Sequence, residues 1–333
     1  MPRCSQANCR IAETGVCLDG HAENCPHLLR DDLANDFPKE AAVPVQMETP
    51  EPQRFHTGEK FTVSEASKVL NDRPTHMVFC VGSQRSGKTT FLARIGEMFR
   101  DGSFSDYRFA GSLTLCAFER ASWLATITSG VERPDTRRTE RRENDTFFHL
   151  QVQRKNGAEQ THEVLISDLA GETFPTAVAS RQFCSDLRSL SRADHLVVFL
   201  DCARLAHQAQ RHSEVDNACE FLQQVCVVKH KPESLSVQVV FSRWDYVSSN
   251  PQAAAVETFC LKIEGDFRKR FALSFSGLTF RRIAARPNNG TAPTNAEIQK
   301  IFANWLETPL VNTPTLADRK RQTVRDFCAF GLT

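Results

Sequence analysis

The feature that most constrains the fold is a glycine-rich motif that directly follows a short apolar run. The run spans Met77 to Val81, and the motif after it, residues 82–89, reads Gly-Ser-Gln-Arg-Ser-Gly-Lys-Thr. It fits the pattern G-x-x-x-x-G-K-[ST] at every fixed position. Two glycines let the backbone curl so that its N–H groups point at phosphate oxygens, and the following helix adds its positive end. The motif therefore predicts a strand, a phosphate-binding loop and a helix in that order.

Each position of this loop is expected to contribute to binding a nucleotide. Lys88 is predicted to bridge the β- and γ-phosphates and to take part in catalysis, and the Thr89 hydroxyl is predicted to bind Mg²⁺. The predicted nucleotide-binding residues of this segment are Gly82, Ser83, Gln84, Arg85, Ser86, Gly87, Lys88, Thr89 and Thr90. The alternative, a Gly-Ser surface loop, leaves the apolar strand before the motif and the helix after it unexplained.

Apolar runs alternate with helix-like stretches along most of the chain. Strands are predicted at 147–153, 162–167, 195–200, 237–241 and 278–283. Helices are predicted at 63–70, 88–98, 176–192, 213–229, 252–272 and 295–307. A turn at Asn156-Gly157 joins two of the strands into an antiparallel hairpin. The pattern predicts an α/β chain with a three-layer P-loop NTPase fold, a mostly parallel sheet and one antiparallel hairpin strand.

A second signature, Asp168-Leu169-Ala170-Gly171-Glu172, follows the predicted strand at 162–167. An aspartate at the carboxyl end of a strand suits a water-mediated contact to Mg²⁺, so Asp168 is a predicted metal-site residue. The Gly171 N–H is predicted to contact the γ-phosphate. An ordinary strand-end turn remains the alternative, since the D-x-x-G pattern is common by itself.

A third signature, Ser242-Arg243-Trp244-Asp245, follows another apolar strand and is similar to the guanine-reading pattern [NT]-K-x-D. The Asp245 carboxylate can accept hydrogen bonds from guanine N1 and N2, which adenine does not offer, while the Arg243 stem covers the base. Ala284 and Ala285, after the last strand, are predicted to offer a backbone N–H to guanine O6. The alternatives are a surface turn at 242–245 and an ordinary strand end at 283–286.

The first 35 residues carry a predicted zinc module. Four of the 12 cysteines of the chain lie in its first 25 residues, in a segment too short and polar to build a core. Zn²⁺ binding would supply the folding free energy that such a segment lacks. The candidate ligands are Cys4, Cys9, Cys17, His21 and Cys25, with His21 and Cys25 as alternatives for the fourth position. A disordered, cysteine-bearing tail is the competing interpretation.

Composition excludes several other classes of function. Lysines and arginines total 41 against 40 acidic residues, so the net charge of +1 gives no general attraction to nucleic acid or anionic membranes. The most apolar stretch, 196–200, is far shorter than the ~20 residues of a spanning helix, and a cytoplasmic protein is expected.

The predicted organisation is a zinc module at 1–35, a proline-containing linker at 36–60, a P-loop domain at 61–310 and a tail at 311–333.

The order of these signatures resembles that of Ras-like and translation-factor-related GTPases, and several longer segments resemble the bacterial double-GTPase domain family. These segments are residues 109–130, the following Arg-Pro-Asp-Thr-Arg-Arg-Thr, 168–174 and 193–205. The resemblance implies a GTPase that binds GTP and GDP and works beside a second GTPase or other protein partner, in bacterial conflict or signalling systems. It also implies a switch segment in which Thr136 or Thr139 contacts Mg²⁺ and the γ-phosphate.

Two residues are predicted to influence hydrolysis. Glu172 stands where many Ras-like GTPases have a water-positioning glutamine, and its negative charge predicts slow intrinsic turnover. Arg85 is either a positive charge on the phosphates or a side chain that points to solvent. The leading hypothesis is therefore a GTP-hydrolysing switch. The alternatives are a scaffold that binds GTP but barely hydrolyses it, and an ATPase.

Overall fold

The computed structural model divides the chain into two compact units, Met1–Arg54 and Phe55–Thr333. It describes residues 3–5, 8–16, 26–29, 56–102, 104–123, 145–156, 161–287 and 290–307. The predicted tail at 311–333 lies outside these ranges. The second unit begins at Phe55, so the last residues of the segment predicted as a linker belong to the folded unit.

The described part of the first unit is a small antiparallel pair with one turn of helix. Strand β1 (Arg3–Cys4) pairs with β2 (Leu28–Leu29), and helix α1 (Ile11–Thr14) lies between them in the chain. The helix ends at Gly15, whose N–H donates to the Ile11 carbonyl at 3.1 Å. The Ser5 N–H donates to the His27 carbonyl at 3.0 Å and closes the pair.

The second unit is built on a seven-stranded sheet in the order β4-β5-β6-β3-β7-β8-β9. The strands are β3 (Thr75–Gly82), β4 (Tyr107–Gly111), β5 (Phe147–Arg154), β6 (Thr161–Ser167), β7 (His195–Asp201), β8 (Ser236–Ser242) and β9 (Gly277–Arg282). Strands β6, β3, β7, β8 and β9 are parallel, whereas the pairs β4–β5 and β5–β6 are antiparallel. The predicted mostly parallel α/β sheet is confirmed.

Helices cover both faces of this sheet and make a three-layer structure. They are α2 (Val63–Asp72), α3 (Lys88–Arg100), α4 (Leu115–Ser122), α5 (Phe174–Ala179), α6 (Arg181–Asp186), α7 (Arg188–Arg192), α8 (Cys202–Ala206), α9 (Gln208–Val228), α10 (Asp245–Ser248), α11 (Ala253–Phe271) and α12 (Asn295–Glu307). Among the described helices, none is both long and apolar enough to cross a lipid bilayer.

The central strand β3 shows why its sequence is a continuous apolar run. Successive side chains of a strand point to opposite faces, so Val78 belongs to the core cluster that includes α3, α4 and α12. Phe79 belongs to the cluster on the other face, which includes α5, α9 and α11. All eight residues of β3 are buried. A strand with helices on both faces has no solvent-exposed face, so its sequence does not alternate between apolar and polar residues. The apolar run from Met77 to Val81 has this pattern.

Helix α2 covers the remaining part of one sheet face and begins with a capping box. The Thr62 hydroxyl accepts a hydrogen bond from the Glu65 N–H, and the Glu65 carboxylate accepts one from the Thr62 N–H at 2.8 Å. These two bonds satisfy N–H groups that have no partner within the helix. Ala66 and the partly buried Val69 of this helix pack in a small cluster with Phe61.

The structure differs from the sequence expectation in several elements, of which two bear on the sheet and its covering helices. Strand β4 and helix α4 were not predicted, and β4 extends the sheet beyond the predicted hairpin. The single helix predicted at 176–192 is instead three short helices, α5 to α7. Ser180 and Leu187 have extended backbone conformations that interrupt the helix, and the Ser180 hydroxyl accepts a hydrogen bond from the Phe183 N–H to start α6.

Candidate functional site

The glycine-rich loop leaves the carboxyl end of β3 and leads directly into α3, as predicted. Gly87, with a left-handed φ of 86°, is the residue before the first turn of α3. This conformation favours glycine because a side chain would be strained there. Thr89 and Thr90 lie in that first turn, where the free N–H groups and the helix dipole favour an anion.

Lys88 folds back over the loop that precedes it. Its ammonium donates hydrogen bonds to the Gly82 carbonyl at 2.7 Å and to the Ser83 carbonyl at 3.1 Å. Burial lowers the pKa of Lys88 to about 8, although the nearby Asp168 carboxylate opposes this shift. The loop therefore holds a buried cation at its centre, where it can meet phosphate oxygens.

The second signature packs directly against the first. A Cβ atom on Gly171 would lie 2.7 Å from the Gln84 Cα and 3.0 Å from the Lys88 Nζ, so a larger residue would collide with the loop. Next to it, the Gln84 amide donates a hydrogen bond to the Glu172 carboxylate at 2.7 Å. The structure thus brings Gly171 and Glu172 to the glycine-rich loop, and their contacts with the γ-phosphate and the attacking water stay predictions.

Asp168 has the chemistry and the setting of a cation site. Its side chain is only 1% exposed, and its carboxylate forms an ion pair with the Lys60 ammonium. Carboxylate oxygens are ligands that Mg²⁺ favours, and the Asp168 carboxylate already holds one positive charge, the Lys60 ammonium. The Asp168 carboxylate therefore has the donor chemistry of a Mg²⁺ ligand, and the Thr89 hydroxyl stays the predicted second ligand. Thr136 and Thr139, the predicted switch residues, lie outside the described residues.

The third signature is tied to the glycine-rich loop by two hydrogen bonds. The Ser242 hydroxyl donates to the Ser86 carbonyl at 2.6 Å, and the Arg243 guanidinium donates to the Arg85 carbonyl at 3.2 Å. Serine therefore connects the two loops even though it departs from the [NT]-K-x-D pattern. Arg85 itself is exposed and adopts a left-handed φ of 65°.

Asp201 fixes the orientation of Arg243. The guanidinium donates to the Asp201 carboxylate at 3.0 Å, and it also lies 4.5 Å from the ring centre of Tyr246. Burial raises the pKa of Asp201, and the Arg243 charge opposes this. Asp201 is not among the residues predicted from the sequence, although it ends the apolar strand β7 on the same side of the sheet as the other site residues.

The two loops expected to surround a base also contact each other. Asp245 is 6% exposed and starts α10, and the Trp244 N–H donates to the Ile283 carbonyl at 2.9 Å. The Ala284 N–H, however, donates to the Thr294 hydroxyl at 2.9 Å. That bond engages one of the two N–H groups predicted for guanine O6, and the Ala285 N–H stays a predicted donor.

Glu214 is a buried residue that supports the glycine-rich loop and is not among the residues predicted from the sequence. Its carboxylate accepts hydrogen bonds from the Ser83 hydroxyl at 2.9 Å and from the Asp201 N–H at 3.1 Å. Arg204 lies 3.5 Å from its second oxygen. Because Glu214 is one of several charged residues along α9, nothing in the local sequence distinguishes it.

The predicted zinc ligands are only partly described. Cys4 and Cys9 are half-buried, whereas Cys17, His21 and Cys25 lie outside the described residues. Within the described ranges, no group of three or more His, Cys, Asp or Glu side chains is arranged to hold a metal ion. The zinc module therefore stays a prediction.

Comparison with solved structures gives distant matches to GTPases. The signal recognition particle receptor SRb-GTP/SRX complex from Chaetomium thermophilum is 14% identical, with 68% of this chain and 99% of that chain covered and a TM-score of 0.40. The LeoA bacterial dynamin GTPase from ETEC is 13% identical, with 80% and 42% covered and a TM-score of 0.39. The S. cerevisiae Ski7 GTPase-like domain bound to GTP is 10% identical, with 76% and 54% covered and a TM-score of 0.38. The chain thus spans less than two thirds of the last two. No curated protein matches the sequence.

One family model matches the chain over residues 76–306, from β3 to the end of α12. Its description is Double-GTPase 2, and the match includes all three signatures of the site. The resemblance seen in the sequence is thereby confirmed for the GTPase domain, while the cysteine-rich segment lies outside the match. The chain belongs to the Double-GTPase 2 family.

Proposed function

We propose that this chain is a Mg²⁺-dependent GTPase that switches between GTP-bound and GDP-bound forms. The observation that carries the proposal is the direct connection between the base-reading loop and the phosphate loop. Ser242 and Arg243 donate hydrogen bonds to the carbonyls of Ser86 and Arg85. A base held by Asp245 and phosphates held by Lys88 then belong to one nucleotide.

The phosphate end of the nucleotide is neutralised by the chain's own groups. The N–H groups of the loop and of the first turn of α3 point at the phosphate oxygens, and Lys88 supplies a positive charge. Asp168 and the Thr89 hydroxyl would hold Mg²⁺, with Thr136 or Thr139 as a further ligand. When bound, Mg²⁺ would neutralise negative charge on the phosphates.

The base end of the nucleotide is recognised by hydrogen bonds. The Asp245 carboxylate accepts from guanine N1 and N2, and the Ala285 N–H donates to guanine O6. Arg243, held by Asp201 and Tyr246, covers the base with its stem. Adenine offers no donors to a buried carboxylate at this position and would leave it unsatisfied, which disfavours the ATPase alternative.

A nucleotide titration tests this proposal. Calorimetry with GTP, ATP and xanthosine triphosphate is expected to show that the wild-type chain prefers GTP. In Asp245→Asn the amide offers a donor to the xanthine O2, so the preference is expected to move from GTP to the xanthine nucleotide. Equal affinities of the wild-type chain for GTP and ATP would contradict the proposal.

Glu172 is the proposed water-positioning residue, and it is held by the loop. The Gln84 amide donates to its carboxylate at 2.7 Å, which keeps the carboxylate beside the phosphate site. Arg85 is exposed, and its role as a positive charge on the phosphates is the second proposal, after that of Glu172. Single-turnover GTP hydrolysis of Glu172→Ala and Arg85→Ala, at saturating nucleotide, measures both contributions. Unchanged rates would remove both residues from the mechanism.

A GTP-binding scaffold with very slow hydrolysis is the second candidate function. The hydrogen bond between Gln84 and Glu172 favours the scaffold. The Gln84 amide, at 2.7 Å, occupies a carboxylate oxygen that would otherwise be available to orient water. Gln84→Ala separates the two candidates. Faster turnover in this variant supports a restrained catalytic glutamate, and an undetectable rate in both proteins supports the scaffold.

The wider setting of this GTPase is proposed from the family resemblance. It comprises a cytoplasmic location, a second GTPase or other protein partner, and a bacterial multi-component conflict or signalling system. A structural Zn²⁺ held by Cys4, Cys9, Cys17 and either His21 or Cys25 is proposed for the N-terminal segment. Metal analysis of the full chain and of Cys4→Ser measures the zinc content, and a wild-type chain without stoichiometric zinc would contradict the module.

A further inference from the structure

Lys60 reaches the candidate Mg²⁺ site from a segment that the sequence analysis assigned to a linker. Its backbone is fixed by neighbours on both sides. The Gly58 carbonyl accepts a hydrogen bond from the Ala117 N–H at 2.9 Å. Phe61 and Phe147 exchange two backbone hydrogen bonds of 2.9 and 3.0 Å, which adds one bridge to the edge of the sheet.

The register of the sheet explains why Lys60 and Asp168 meet. Phe61 is opposite Phe147 on one side, and Phe147 is opposite Ser167 on the other. Lys60 and Asp168 each lie one residue from this row. The Asp168 N–H also donates to the Thr146 carbonyl at 2.8 Å, which holds the aspartate backbone against the start of β5.

The Lys60 side chain crosses this row and ends at the metal-site carboxylate. Its ammonium lies 4.9 Å from the ring centre of Phe148 and pairs directly with Asp168. The two partners differ in burial, since the side chain of Lys60 is 25% exposed and that of Asp168 is 1% exposed. The aspartate is therefore fixed, whereas the lysine can turn toward solvent by rotating its own side chain.

We propose that Lys60 is a tethered cation that competes with Mg²⁺ for Asp168 and so sets the Mg²⁺ concentration at which the chain retains nucleotide. The inference rests on the proposed function, because it needs Asp168 to be part of a nucleotide-dependent Mg²⁺ site. While the Lys60 ammonium is paired with the Asp168 carboxylate, that carboxylate would not be available to a metal ion. The two cations therefore exclude each other.

The anchored backbone makes this competition a local one. A lysine in a mobile tail would reach Asp168 only rarely, but Lys60 starts from a fixed position beside it. The charge-assisted hydrogen bond between Lys60 and Asp168 must break before the carboxylate becomes available to a metal ion. Once displaced, the ammonium has an exposed direction to occupy, and neither Phe61 nor α2 has to move.

The test is the Mg²⁺ dependence of nucleotide binding, measured without any hydrolysis. Fluorescent N-methylanthraniloyl GDP is titrated into the full-length chain at a series of free Mg²⁺ concentrations. In Lys60→Met the half-saturating Mg²⁺ concentration is expected to fall about tenfold, the equilibrium effect of removing one charge-assisted competitor. Lys60→Arg keeps the cation and is expected to stay close to wild type.

Lys68→Met is the matched control, because Lys68 is an exposed lysine of α2 and its loss changes the net charge equally. It is expected to leave the half-saturating Mg²⁺ concentration at the wild-type value. Circular dichroism checks that each variant is folded, and Lys60→Gln replaces Lys60→Met if the latter is unfolded.

Two results would overturn the inference. An unchanged or higher half-saturating Mg²⁺ concentration in both Lys60→Met and Lys60→Gln shows that Lys60 does not compete with the metal. The proposed function survives that result, because the wild-type chain still binds the nucleotide. A wild-type chain that binds no guanine nucleotide at any Mg²⁺ concentration overturns the proposed function, and the inference with it.

Discussion

Two buried lysines, Lys88 and Lys229, have similar burial and similar hydrogen bonds, but they lie at opposite ends of the parallel strands. Each side chain belongs to a residue that is only 8% exposed, and burial lowers the pKa of each to about 8. Lys88 donates to two carbonyls of the phosphate loop. Lys229 donates to the Ala193 carbonyl at 2.8 Å and the Ser191 carbonyl at 3.0 Å, at the end of α7.

Burial and hydrogen bonding therefore do not distinguish a lysine proposed to bind phosphate from a lysine with a structural role. What differs is the end of the parallel strands at which each lysine lies. The loops at the carboxyl ends of parallel strands diverge and leave space for a ligand, and Lys88 lies there. Lys229 lies near the amino end of β7, where its ammonium satisfies the last carbonyls of a short helix.

The largest expected difference between the two edges is in nucleotide binding. Lys88→Ala is expected to weaken GTP binding about a thousandfold, because charge-assisted hydrogen bonds to two phosphates are lost. Calorimetry on Lys88→Ala beside Lys229→Met makes the comparison, and an equal loss of GTP affinity in both variants would break it.

The amino-terminal edge is expected to control stability in acid. Burial lowers the pKa of both His76 and His195 to about 4, so below pH 6.5 the unfolded chain binds protons that the folded chain does not. Stability is therefore expected to fall between pH 6.5 and pH 4, by about 2 kcal/mol per histidine at pH 5. Above pH 6.5 these two groups contribute no slope.

Urea unfolding at pH 7.5 and pH 5 measures this loss. His195→Leu removes one of the two titrating groups and keeps an apolar side chain in the core, so its stability difference between the two pH values is expected to be smaller than that of wild type. His212→Leu, which changes a histidine outside the buried edge, is the control. An equal pH dependence in wild type and His195→Leu would show that acid unfolding has another origin.

The smallest expected effect is the stability cost of losing Lys229. Lys229→Met leaves the Ser191 and Ala193 carbonyls without their charged donor, but it also removes the cost of burying an ammonium. The two terms oppose each other, so a loss of about 1 kcal/mol at pH 7 is expected. Nucleotide affinity is expected to remain at the wild-type value. A fall in GTP affinity larger than the fall in stability would assign Lys229 a part in the site.

Most of the fold was accessible from the sequence because its signals are local. The apolar run of β3, the glycine-rich loop and the start of α3 follow each other within fifteen residues, and the structure contains them in that order. Strand β4 was not predicted because its apolar pattern is weak. It is an edge strand, and its central residues are exposed. The segment at 176–192 was misjudged because Ser180 competes with helix formation through its own hydroxyl.

The sequence by itself determined where the phosphate loop, the Asp168 signature and the Asp245 signature lie, because each is a short pattern whose residues act together. Only the tertiary structure decided which side chains support them. Lys60 and Asp168 are 108 residues apart, Ser83 and Glu214 are 131 apart, and Asp201 and Arg243 are 42 apart. Such pairs form because sheet register and helix packing bring distant side chains together, and no local pattern encodes the meeting.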